Sequence, residues 1–137
     1  MNKPKQDFET AVPALDTRAE IEVAVEQEEE RQTILHCRLR SAVFSMIRIH
    51  PTTFLIEQDG TKRKLVSALD IAVAPEWGPG NFSGGHLHFT LVFEGLGKEC
   101  RSFYMEEFAA PGENLLFKTD AIRRNRTDVY RVMIKDV

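Results

Sequence analysis

The sequence predicts an all-β chain built from many short strands, as a sandwich or a barrel. Three observations carry this. Apolar and polar residues alternate with a period of two through most of the chain, and turn-forming Gly, Pro, Asn and Asp recur about every 8 to 12 positions. No stretch shows the 3.6-residue apolar stripe of an amphipathic helix.

In chain order, residues 1–18 hold two prolines, mixed charge and no sustained period, which reads as a flexible N-terminal tail. The β-sandwich domain is expected over 19–137. Ile21, Val23 and Val25 alternate with glutamates in a first strand whose outer face is acidic. After the polar turn Glu28 to Arg31, Leu35, Cys37 and Leu39 alternate with His36, Arg38 and Arg40 in a second strand, basic outside. Met46 to His50 is a third, stopped by Pro51, which cannot donate to a ladder. Phe54 to Ile56 and Arg63 to Val66 flank Asp59-Gly60, a dipeptide that accepts positive φ and closes hairpins. Leu69 to Ala74 is a short strand, and Pro75 to Gly85 is a long Gly/Pro-rich loop. His86 to Glu94 alternates most strictly, with Leu87, Phe89, Leu91 and Phe93 on one face. That face is expected in the core, opposite Val23, Phe54, Ile56 and Phe103. Ser102 to Glu106 follows, and the strands Leu115 to Ile122 and Val129 to Ile134 close the chain as a pair.

Length and charge bound the function. A chain of 137 residues fits one domain and buries about two-thirds of its unfolded surface. The net charge of -3 and pI of 5.8 argue against a non-specific nucleic-acid binder. No apolar run approaches the roughly 20 residues of a membrane span, and the first 20 residues hold no signal-peptide core. A cytoplasmic protein without a membrane span is the expectation. Cys37 and Cys100 are too few and too far apart for a disulfide framework or a paired zinc motif. Cys37 reads as a small core residue, and Cys100 as an exposed thiol beside Lys98 and Arg101.

Two blocks carry a resemblance. The run TFLIEQDGTKRKLVSALDI from Thr53 to Ile71 and the run FTLVFEGLGKECRSF from Phe89 to Phe103 resemble segments of a bacterial, Bacteroidetes-type β-sandwich domain family of unknown function. The resemblance extends over roughly residues 20 to 134. Gly95 and Gly97 stand where that family's turn has prolines, and Ser45 and Met46 stand where it has a tryptophan pair. The resemblance implies an immunoglobulin-like antiparallel β-sandwich and no named reaction.

Several constellations are candidates for chemistry. Gly80-x5-His86-x-His88 is similar to the opening motif of cupin barrels, whose imidazoles hold a metal from one strand face. Glu94 is the acid that would complete the set, although it follows later than in cupins, and no histidine follows His88. Asn81-x-Ser83-Gly84-Gly85 resembles the loop by which PilZ domains bind cyclic dinucleotides. Arg123, Arg124 and Arg126 would supply guanidinium groups for phosphate, though they come after the loop and not before it. Trp77 and Phe82 flank the glycines of the long loop, where aromatics seat ligands or partners or else cap the end of the sandwich. No Gly-x-Ser-x-Gly elbow is present. These features favour a non-catalytic binding or structural module without a cofactor, acting through a protein partner or by self-association. The C-terminal strand pair carries Lys118, Arg123, Arg124, Arg126 and Arg131 and would serve as the basic edge, facing the acidic first strand of a second copy. The alternative is a cupin-like metal-binding barrel using His86 and His88.

Overall fold

The structure, a computed structural model, describes residues 31–40, 46–110, 112 and 116–136. The expected tail and the strand at Ile21 to Val25 lie outside the described residues. The described chain is all β. Its strands are β1 Thr33–Arg40, β2 Met46–Ile49, β3 Thr53–Glu57, β4 Lys62–Leu69, β5 Ala72–Val73, β6 Gly78–Pro79, β7 Phe82–Ser83, β8 His86–Phe93, β9 Ser102–Glu107, β10 Phe117–Lys118, β11 Ile122–Arg123, β12 Val129–Met133 and β13 Lys135–Asp136. Among the described residues no helix is long and apolar enough to cross a membrane.

The main sheet runs β12-β1-β8-β4-β3-β9-β10-β13, with β7 added to β8 and β11 to β9; β5-β2-β6 form a second, three-stranded sheet. The antiparallel expectation needs correction, because the sheet is mixed. β12 lies parallel to β1, and β5 lies parallel to β2. Parallel neighbours need a long crossover, and nearly the whole described chain separates β1 from β12. The last two strands therefore do not form the expected pair. β10 and β11 join β9, while β12 crosses to β1.

The order of strands also implies curvature. β12 and β13 stand at opposite margins of the main sheet, yet only Ile134 separates them in sequence. Consecutive Cα atoms are 3.8 Å apart, so the sheet curls until its margins meet. Ile134 is buried at this seam, and its N–H donates to the Arg38 carbonyl at 2.8 Å.

The curl encloses an apolar core. β8 alternates strictly, and Leu87, Phe89, Leu91 and Phe93 are all buried, as their spacing predicts. They meet Leu35, Cys37 and Leu39 of β1, Leu55 of β3 and Phe103 and Met105 of β9 in one cluster. Phe89 stacks on Phe117 at 5.7 Å between centroids, and Phe103 meets Tyr130 edge-on at 5.1 Å. The parity expected for β3 holds for Ile56, which is buried, and is corrected for Phe54. Leu55 is fully buried while Phe54 is only half-buried, packed near Phe108 beneath the Lys62 ammonium. Three consecutive apolar residues leave parity open. It is fixed here by Thr53 and Glu57, polar residues that are buried and hydrogen-bonded.

Candidate functional site

β1 is the middle strand of a three-strand outer face. Its alternation sends Leu35, Cys37 and Leu39 into the core and leaves His36, Arg38 and Arg40 outside. Antiparallel β8 sets Thr90 opposite His36, His88 opposite Arg38 and His86 opposite Arg40. Parallel β12 sets Arg131 beside His36 and Met133 beside Arg38. Opposed Cβ atoms on a sheet are about 5 Å apart, so three arginines and three of the four histidines of the chain share one face. A cleft of about 500 Å³ opens there, lined by His36, Arg38, Asp70, His88, Thr90 and Arg131 among others.

Like charges set across a sheet repel. Among the described residues, no hydrogen bond or ion pair reaches the guanidinium of Arg38, Arg40 or Arg131. The histidines, in contrast, are held. His36 Nδ1 lies 2.9 Å from Thr90 Oγ1. His86 donates from Nδ1 to the Gly84 carbonyl at 3.0 Å, and His88 donates from Nε2 to the Ser83 carbonyl at 3.1 Å. Those carbonyls belong to the β7–β8 hairpin turn. Gly84 and Gly85 both take positive φ, 59° and 78°, which is the geometry a two-residue hairpin turn needs. The Asn81-to-Gly85 motif is thus a turn that orients histidines, and the Asn81 carbonyl accepts the His88 N–H at 2.9 Å.

The other residues singled out in the sequence are dispersed. Glu94 lies at the far end of β8 from His86, about 26 Å along the strand, and its Oε1 accepts the Lys64 N–H at 2.8 Å. It cannot join His86 and His88, whose ring centroids are 6.1 Å apart. Among the described residues, no group of three or more His, Cys, Asp or Glu is placed to hold a metal ion. Arg124 is a loop clamp. Its Nε and Nη2 donate to the two carboxylate oxygens of Asp128 at 3.1 and 3.0 Å, and Nη1 donates to the Gly97 and Cys100 carbonyls. The Asp128 hydrogen bond raises its pKa further. Arg123 and Arg126 are exposed, on β11 and on the turn after it. Trp77 does not fold back as a cap: it is 55% exposed, and the Arg48 guanidinium lies 4.1 Å from its ring centroid. Phe82 is 40% exposed and packs on Gly80, where a Cβ would come within 2.5 Å of the ring.

Both cysteines are free and buried. Burial pushes the Cys37 thiol far up. Cys100 is not the exposed thiol expected from its neighbours. The turn closed by its N–H to the Gly97 carbonyl folds it inward, and burial, then Glu57, raise its pKa against the opposing Arg124. Neither is an available thiolate.

Of the residues around the cleft, His36, Arg38, Arg40 and Asp70 were not singled out by motif, and Arg131 was read only as part of a basic sheet edge. Strand parity places the first three outside. What the sequence does not disclose is that β8 and β12 flank β1. Comparison with protein-family models, with curated proteins and with solved structures returned no match.

Proposed function

We propose that this chain is a non-catalytic binding module that takes a small phosphate-bearing molecule on the outer face of β12, β1 and β8. The observation that carries the reading is the cleft where Arg38 and Arg131, whose guanidinium groups have no protein partner among the described residues, stand with His36 and His88. Guanidinium is permanently charged and matches phosphate oxygens in a fork. The cleft volume lies in the range of small-molecule sites. In the sequence, Arg123, Arg124 and Arg126 were a candidate for phosphate; the cleft offers Arg38 and Arg131 instead. The test is isothermal titration with inorganic pyrophosphate at low salt. Saturable one-site binding is expected, weakened at least about tenfold in an Arg38→Ala, Arg131→Ala double variant, the loss of two charge-assisted contacts. Affinity unchanged in that variant would overturn it.

A second reading, self-association through a protein-binding patch, has one observation in its favour. Trp77 and Met46 are both about half exposed, with Arg48 over the Trp77 ring, and Trp and Arg are the residues that dominate interfaces. Sedimentation at high concentration separates the two readings, since on the second reading Trp77→Ala is expected to abolish self-association and to leave pyrophosphate binding intact. The Bacteroidetes-type family stands as a proposal alongside, resting on the two resembling blocks, which also imply an immunoglobulin-like arrangement. The meeting of the sheet margins at Ile134 favours a barrel-like roll instead. A cytoplasmic location is proposed on the two free cysteines, which a reducing compartment maintains.

A further inference from the structure

One residue of the basic cleft has the wrong sign for a simple anion site. Asp70 lines the cleft together with His36, Arg38, His88 and Arg131. It is exposed, and it takes φ 64°, one of two non-glycine residues in the described chain with positive φ. The turn it makes has a structural use, because Leu69 before it is exposed and Ile71 after it is buried in the core. Glycine or asparagine would make that turn as well or better. Among the described residues, no hydrogen bond or ion pair reaches the Asp70 carboxylate, although guanidinium groups line the same cleft. An acid at this position weakens the hold on a bare anion. It is useful where a ligand presents hydrogen-bond donors beside its phosphate.

Resting on the binding reading above, we propose that Asp70 is the specificity-determining residue of the cleft. It selects an organic phosphate whose body carries N–H or O–H donors, of the nucleoside monophosphate class, over inorganic anions. The arginines and histidines take the phosphate, and the Asp70 carboxylate accepts from the donor edge. A site built to accept such a donor discriminates strongly against ligands that lack it.

The test compares two probes, adenosine monophosphate and sulfate, on the full chain and on Asp70→Gly. Glycine keeps the left-handed turn and removes only the side chain. Asp70→Gly is expected to bind adenosine monophosphate about tenfold more weakly, the loss of one charge-assisted hydrogen bond. It is expected to bind sulfate several-fold more tightly, because a nearby like charge is gone. Opposite changes for the two probes are the signature, and no general loosening of the turn produces them. If both probes tighten together, Asp70 only repels anions; if neither changes, it is only a turn residue. Either result overturns the assignment while leaving the cleft a binding site. If neither probe binds the unaltered chain, or if Arg38→Ala, Arg131→Ala binds sulfate as well as the unaltered chain does, the underlying reading has failed instead.

Discussion

Glu107 shows how single polar residues fix this fold. It is 2% exposed, and both of its carboxylate oxygens are used. Oε2 accepts the His50 N–H at 2.9 Å and stands 2.7 Å from His50 Nδ1, while Oε1 accepts the Phe117 N–H at 2.8 Å. One side chain therefore ties the end of β2, β9 and β10 together. Truncation would bury these donors without an acceptor, and each such group is expensive. Glu107→Ala is expected to lower stability by about 3 kcal/mol or more, read from the urea midpoint. An unchanged midpoint would show that water or a shift of the chain replaces the carboxylate. Tyr130 offers a second measurement at this scale. Burial, together with its hydrogen bond to Asp128, pushes the phenol up to about 12, against the amide of Asn125, which favours the ionised form. The unfolded chain ionises near 10. The corresponding stability is intact below pH 10 and is lost as the pH rises toward 12. Absorbance titration should show a phenol step near pH 12 that disappears in Tyr130→Phe; a single step near 10 in the folded chain would contradict the buried hydroxyl.

Among elements, the β7–β8 hairpin joins the core to the basic face. Inward, β8 contributes Phe93, which is fully buried, and Phe93→Ala is expected to cost about 3–5 kcal/mol. At its start, Gly84 takes φ 59° and its carbonyl holds His86. Gly84→Val is expected to cost about 1–2 kcal/mol, because a β-branched residue is forced into the left-handed region. Gly80 differs: its φ is ordinary, and its smallness is required by the Phe82 ring and Leu87. Thermal unfolding of Gly84→Val measures this cost, and a neutral result would mean that the turn is not as described. β8 was legible in the sequence because four large apolar residues alternate without a break. β3 was not, because Phe54, Leu55 and Ile56 are apolar on both faces, and two polar residues, Thr53 and Glu57, are buried along with Leu55 and Ile56. For the basic face, parity already placed His36, Arg38 and Arg40 outside β1. Their meeting with His88 depends on the non-local antiparallel pairing of β1 with β8, and with Arg131 on a parallel crossover spanning most of the described chain; no local pattern records either.

At the scale of the whole molecule, a chain of net charge -3 concentrates three arginines and three histidines on one outer face of a curled sheet. Such a local field attracts small anions and is screened by salt over about 10 Å at 0.1 M. Binding that weakens steeply between low and high salt is therefore expected. The curl at Ile134 is what makes the cleft a fixed shape, since β12, which carries Arg131, is anchored at the margin where it meets β13. The central claim is that the anion sits on this face and nowhere else. The most direct measurement follows the backbone amide signals of the isotope-labelled full chain by NMR as pyrophosphate is added. The expected result is saturable shifts at His36, Arg38, His88, Thr90, Arg131 and Met133, absent in the Arg38→Ala, Arg131→Ala variant. Shifts centred on Arg123 and Arg126 instead, or shifts that persist unchanged in the double variant, would contradict it.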